Sequence, residues 1–278
     1  MSIFPLCPEI PIRGIIDNFL QGKKTPLLQI LIMIEKGGGG MNGLKKSVRA
    51  VLPLLTLLLA LGWYGGERTL QTDAPATVEK PMIALTFDDG PMSSVTPALL
   101  DGLAQRGVKA TFFLIGSQIV GNEDLVRRIE EEGHQIGIHT YDHVSLIGLN
   151  RADFDAQVEK TGNLLERILG HGSFLLRPPY GLLDDGVRAM AQYPIILWSV
   201  DPEDWKDKNT ARVAEHIVNR AQDGDVVLLH DIYTQSVDAA LQAVDRLLAR
   251  GYLFVTVEEL FQSRGITLDN GQVYRNAQ

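Results

Sequence analysis

From residue 82 onward the chain alternates short apolar runs with amphipathic stretches, and this alternation limits the possible fold more than any other feature. The runs at 82–87, 110–115, 135–139, 174–177, 195–200, 226–230 and 252–257 have the length and the β-branched or aromatic content of strands. Between them, residues 95–105, 122–132, 150–169, 184–191, 209–222 and 236–250 repeat apolar positions at helical spacing. Strands separated by helices pair in parallel through right-handed crossovers, which makes the fold class α/β, either doubly wound or barrel. About seven such units in roughly 185 residues favour a distorted (β/α) barrel with about seven parallel strands. A single catalytic domain is expected over 81–262, followed by a C-terminal tail over 263–278.

Residues 1–66 differ in kind. Lys45, Lys46 and Arg49 precede an apolar run over 50–64, the charge-then-hydrophobe order of an export signal. Such a signal belongs at an N-terminus, yet it follows a glycine tract over 37–40 and a second methionine, Met41. A purine-rich ribosome-binding site read through as glycine codons would give such a tract. Met41 is therefore expected as the true start, with 1–40 an untranslated or disordered extension and 41–66 a signal peptide or membrane anchor. The run is somewhat shorter than the roughly twenty residues that span a bilayer, so a cleaved signal and a retained anchor are both open. Residues 67–80 are polar and without a period, as in a linker. On this reading the domain is exported and faces the cell wall, either secreted or anchored through residues 45–66.

Charge and cysteine content exclude whole classes of function. A net charge of −8 with a pI near 5.3 argues against nucleic-acid binding, which needs a clustered positive field to neutralise phosphates. Cys7 is the one cysteine, so neither an intrachain disulfide nor a thiolate metal cluster can form. Any metal must rest on imidazoles and carboxylates. Nothing in the sequence identifies a protein partner.

Five polar clusters fall where a predicted strand ends, and in β/α barrels those carboxyl ends share one face. Asp88 and Asp89 follow the first strand and are closed off by Gly90-Pro91. The pair has the composition of an ordinary turn, but adjacent carboxylates can also divide labour, one coordinating a cation and one acting as a base. His139 and His143 stand four residues apart after the third strand, and two imidazoles with a carboxylate are a known ligand set for catalytic zinc. Arg177 precedes Pro178-Pro179 and Tyr180 in a stiff loop, where a guanidinium can hold a free carboxylate. His230 leaves the sixth strand, where it is suited to protonating a leaving group, and either Asp201 or Asp204 is placed to orient it. Trp205 and Tyr180 suit sugar stacking and loop packing equally. His134, His171 and His216 receive no role.

Taken together, TFDDGP, HTYDH, RPPYG, DPEDW and LLH, in that order, resemble the motifs of the polysaccharide deacetylases of carbohydrate esterase family four, which share the NodB homology domain. The resemblance covers roughly 81–262. It implies a distorted β/α barrel and a divalent metal, most often zinc, with cobalt, nickel or manganese as substitutes. It implies Asp89, His139 and His143 as metal ligands, Asp88 as the base acting on metal-bound water, and His230 as the acid. Arg177 would steady the base and Asp204 orient the acid. Tyr180 would supply a backbone N–H to the oxyanion, while Trp205 and Leu228 line an acetyl pocket. The implied substrate is an acetylated polysaccharide of N-acetylglucosamine type, most naturally peptidoglycan. Ile138 and Pro202 depart from residues common in relatives, which bears on substrate preference. The alternatives are another acyl substrate, such as an acetylated xylan or a small amide, and a non-catalytic sugar-binding module on the same fold.

Overall fold

A computed structural model describes residues 80–278. The readings made for 1–40, 41–66 and the linker to residue 79 lie outside the described residues. Strands β1 (Met82–Asp88), β2 (Thr111–Leu114), β3 (Gln135–Ile138), β4 (Leu175–Leu176), β5 (Ile195–Ile196), β6 (Val226–His230), β7 (Leu253–Phe254) and β8 (Val273–Tyr274) form one sheet. Its order is β6-β1-β2-β3-β4-β5-β8, with β7 on the first residues of β1, and all the strand pairings are parallel. All seven predicted strands are present, in an α/β fold curled into a half-barrel. Curling brings the segment after β5 against β6, where Ser199 N–H donates to the Val226 carbonyl at 3.0 Å and Leu228 N–H to Val200 at 2.9 Å.

The helices are α1 (Thr96–Arg106), α2 (Gly116–Ile119), α3 (Glu123–Glu131), α4 (Arg151–Gln157), α5 (Glu159–Leu169), α6 (Asp185–Met190), α7 (Thr210–Arg220), α8 (Thr234–Leu248) and α9 (Val257–Ser263). Side-chain caps set several starts: Asn150, Asp184 and Asn209 accept from the backbone N–H three residues on, satisfying donors that a first helical turn leaves unpaired. The single helix predicted over 150–169 is instead two, α4 and α5, meeting at Val158. At the junction Thr161 Oγ1 donates to the Gln157 carbonyl at 2.9 Å, a side-chain bond of the kind that bends helices. The strand expected over 252–257 stops early because Thr256 forms a reciprocal capping box with Glu259 and starts α9.

Residues 263–278, expected as a tail, are part of the domain. β8 pairs with β5, and Ala277, 2% exposed, donates its N–H to Gly224. Apolar contacts from α9 and Ala277 hold this segment under the curl of the sheet, which a free tail lacks.

Side-chain parity then divides the strands into two layers, since successive residues point to opposite faces. Ile83, Leu85 and Phe87 of β1 pack outward with Phe112, Leu114, Ile136, Ile138, Leu176, Val227 and Leu229 against the helices. Ala84 of β1 turns inward with Phe113, Leu175, Ile196 and Val226, over Val257, Leu260 and Phe261 of α9. Continuing the inward parity from Ala84 reaches Thr86 and Asp88, and from Val226 it reaches Leu228 and His230. α9 thus fills the interior with apolar side chains beneath, and the polar residues gather above.

Candidate active site

Asp88 and His230 are register partners on the neighbouring strands β1 and β6, so the two stand side by side at one end of the sheet. β4 adds Arg177, which is fully buried. Its Nη1 donates to Asp88 Oδ1 at 2.8 Å and to Thr86 Oγ1 at 2.7 Å. Nε donates to the Ile196 carbonyl at 3.1 Å and Nη2 to Leu197 at 3.2 Å, and the guanidinium lies 4.0 Å over the Phe113 ring. A buried cation is costly unless its donors are satisfied, and here backbone carbonyls, a hydroxyl and a carboxylate share them.

His139 follows β3, and its Nδ1 donates to the Arg177 carbonyl at 2.7 Å, an orientation that turns Nε2 toward the carboxylates. Nε2 stands 3.5 Å from Asp89 Oδ1 and 3.7 Å from Asp88 Oδ2. His143 Nε2 comes within 3.3 Å of the same Asp89 oxygen. Burial holds His139 below its ordinary pKa, against the opposing pull of Asp88 and Asp89, and keeps it neutral as a ligand must be. One ligand atom from each of Asp89, His139 and His143 lies within 4.8 Å of the others. Asp89 Oδ1 is buried and receives no hydrogen bond from the protein, which leaves a carboxylate oxygen facing the Nε2 atoms of two imidazoles. That donor set fits a divalent cation. Asp89, Thr140 and His143 hold positive φ angles of 75°, 64° and 56° without being glycine. Strain of this kind persists only where surrounding contacts over-determine it.

The His230 side of the site is built on β6. Asp204, fully buried, accepts from His230 N–H at 2.9 Å and from His230 Nδ1 at 2.8 Å. Of the two candidate orienting carboxylates, the structure brings Asp204 to the histidine, while Asp201 accepts from Glu203 N–H in its own turn. Tyr180 caps the other side, 64% exposed, with its ring edge-on to His143 at 4.9 Å between centroids. Trp205 is half exposed, and Leu228 is buried in β6 two residues before His230 on the same face.

The sequence profile described as "Polysaccharide deacetylase" matches residues 76–194. A peptidoglycan-N-acetylglucosamine deacetylase of Bacillus cereus is 38% identical over 191 residues, covering 66% of this chain and 70% of that protein. The chain belongs to the polysaccharide deacetylase family. PgdA of Listeria monocytogenes, a peptidoglycan-N-acetylglucosamine deacetylase, is 41% identical over 202 residues, 73% of this chain, and the chain spans 43% of that relative's length. Among solved structures, a family 4 acetyl xylan esterase from Clostridium thermocellum, in complex with a cobalt ion, superposes with a TM-score of 0.67 at 27% identity, covering 70% of this chain and 98% of that one.

Within this deacetylase fold, two electrostatic features have measurable consequences. Burial alone would depress His230, but its hydrogen bond to Asp204 and the charges of Asp204, Asp88 and Asp89 raise it to about 9. A raised pKa keeps the proton on His230 through neutral pH and releases it above about 9. Asp204→Asn is expected to move the basic limb of the pH–rate profile down by about one unit or more. An unmoved limb would assign that ionisation elsewhere.

Asp231 stands beside His230 in the polar cluster after the sixth strand, and the sequence gives it no role. It is fully buried, accepts from Thr96 Oγ1, and its Oδ1 has no hydrogen-bond partner. A Cβ at Gly90 would collide with that oxygen, so only glycine lets the Asp88-Asp89 turn pass over it. Burial pushes its carboxyl up to about 7, with Asp89 and Asp88 adding to the rise against the hydrogen bond from Thr96. Because the folded pKa exceeds the ordinary 3.8, the protonated form favours the fold, and that stability is present at low pH and lost as pH rises through about 7. Relative to Asp231→Asn, the metal-free protein is expected to lose on the order of a few kcal/mol between pH 4 and pH 8. Parallel urea midpoints across that range would refute the assignment.

Thr86 was also missed, although its inward parity one turn of the pleat before Asp88 is legible in the sequence. His134, given no role, is buried and accepts from Ala110 N–H at 3.1 Å. Burial draws it down to about 4, as in a neutral structural histidine. Among the described residues no helix is long and apolar enough to cross a membrane.

Proposed function

We propose that this chain is a metal-dependent deacetylase that removes N-acetyl groups from an N-acetylglucosamine-type polysaccharide, with peptidoglycan as the polymer. The observation that carries the reading is the convergence of three chemically distinct groups, namely a ligand set of Asp89, His139 and His143, a carboxylate held by Arg177, and a protonated histidine held by Asp204. A sugar-binding module has no need of a base and an acid flanking a cation site.

A divalent cation on Asp89, His139 and His143, zinc by ligand chemistry, would polarise the amide carbonyl and favour ionisation of a water. The remaining work belongs to the protein. Asp88, its Oδ1 committed to Arg177, takes a proton from the attacking water as the new C–O bond forms. The backbone at Tyr180, held at a φ of 62°, offers its N–H to the developing oxyanion. His230 then transfers its proton to the amide nitrogen as the C–N bond breaks, and acetate and the free amine leave. Trp205 and Tyr180 are exposed aromatic faces beside the cation site, suited to the apolar faces of sugar rings. Leu228 supplies an apolar wall for the acetyl methyl.

The relatives that act on peptidoglycan support a wall polymer as substrate. Such a polymer lies outside the cytoplasm, in keeping with export through residues 41–66. The test is acetate release by the purified full chain with zinc, on peptidoglycan, N-acetylglucosamine oligomers and acetylated xylan. Release from either N-acetylated substrate supports the reading. Release from xylan alone moves the substrate to esters, and silence on all three with zinc bound favours a binding module.

A further inference from the structure

We infer that Gln157, the last residue of α4, is a positioning residue for the metal centre, holding the loop that carries His139 and His143 in its ligating shape. The inference rests on the metal-site reading above. The loop over 139–143 contains two non-glycine residues, Thr140 and His143, at positive φ. Such a backbone does not keep its shape unaided, because it forgoes regular hydrogen bonding and adopts an unfavourable hand.

Its polar groups are instead satisfied from outside, on two sides. The carbonyls of Thr140 and Tyr141 accept from Gly116 N–H and Ser117 N–H, both at 2.9 Å, at the start of α2. The donors face the other way. Gln157 Oε1 accepts from Tyr141 N–H at 3.1 Å and from Asp142 N–H at 2.9 Å, while Gln157 Nε2 donates to Asp142 Oδ2 at 3.1 Å. One amide side chain thus closes three hydrogen bonds on two consecutive residues between the ligands. Gln157 is itself fixed, since its carbonyl accepts from Thr161 Oγ1 at the α4–α5 junction. Lys160, on the next helix, rests 3.2 Å from the centroid of the Tyr141 ring and presses the same segment. On the α2 side, a Cβ at Gly116 would lie 3.1 Å from Tyr141 Cα, so the loop is seated tightly there as well.

The chemistry requires an amide at this position. A carboxylate would accept from both N–H groups but repel Asp142, and an aliphatic side chain would leave both donors and Asp142 unpartnered within the loop. Outer partners of ligand residues commonly change metal affinity by about 10- to 100-fold when removed, because they set how much of the ligand geometry exists before binding.

The experiment uses the full chain and three proteins: wild type, Gln157→Leu, and the paired Gln157→Glu/Asp142→Asn, which restores the side-chain bond with donor and acceptor exchanged. Zinc affinity is measured by chelator competition, and amide hydrogen exchange is followed at Tyr141 and Asp142 in metal-free protein. Gln157→Leu is expected to weaken zinc by about 10- to 100-fold and to speed exchange at both amides, with the paired variant within about threefold of wild type. Unchanged exchange in Gln157→Leu overturns the inference whether or not zinc binds. Wild-type affinity in Gln157→Leu, or a paired variant as weak as it, also overturns the inference and leaves the metal site intact. Failure of the wild type to bind zinc or cobalt overturns the metal-site reading itself. A Gln157→Leu protein too unstable to assay leaves the paired variant and its two amides to decide by the same criteria.

Discussion

Asp88→Asn is expected to lower turnover by about a thousandfold while the protein still binds added zinc. The substitution preserves shape and leaves an oxygen to accept from Arg177, so the loss isolates the proton-accepting function. Asp88 Oδ2 is also 3.7 Å from His139 Nε2, close enough that a ligand role is the competing explanation. His139→Ala separates the two, because it removes a ligand and should lose metal and turnover together. Zinc content measured on both variants decides: an equal fall in each would make Asp88 a ligand and leave the reaction without its base.

Arg177→Met should be the most destabilising of the substitutions considered, by about 3–5 kcal/mol, because it strips the partner from a buried carboxylate. Asp88 is 3% exposed, and Thr86 Oγ1 and the carbonyls of Ile196 and Leu197 would lose their donor in the same step. Lysine is no replacement, since a point-like ammonium cannot serve four acceptors arranged around a planar fork. Adding Asp88→Asn to Arg177→Met should return part of the loss by removing the stranded charge. Urea denaturation of the single and double variants tests both statements, and a loss under about 1 kcal/mol for Arg177→Met would show that water or a shifted side chain reaches the carboxylate.

Much of this was legible before any coordinates. The seven strands could be read from apolar runs, and the site could be read from polar residues at their carboxyl ends, because a strand buried on both faces leaves little else polar to choose from. The parity of β1 even separates Thr86 and Asp88, facing inward, from Leu85 and Phe87, facing the helices. β8 was not legible, because Val273 and Tyr274 stand among polar residues, without the longer apolar run that marks the equally short β4, β5 and β7. α9 was hidden because its apolar residues continue the run that begins at 252. The roles of Gln157 and Asp231 were invisible for a different reason: each acts across a distance in sequence, on Asp142 and on Gly90.

The sequence alone therefore determined the parallel α/β architecture, the face on which chemistry gathers and the residue types available there, since each follows from local periodicity and from where it stops. Tertiary structure alone decided that Gln157 clasps the ligand loop, and it supplied the contacts by which Arg177 reaches Asp88 and Asp204 holds His230, pairings that the family resemblance implied but local sequence left open. Those pairings depend on how far the sheet curls and how its loops close over the strand ends, and both are set by long-range packing that no window of sequence contains.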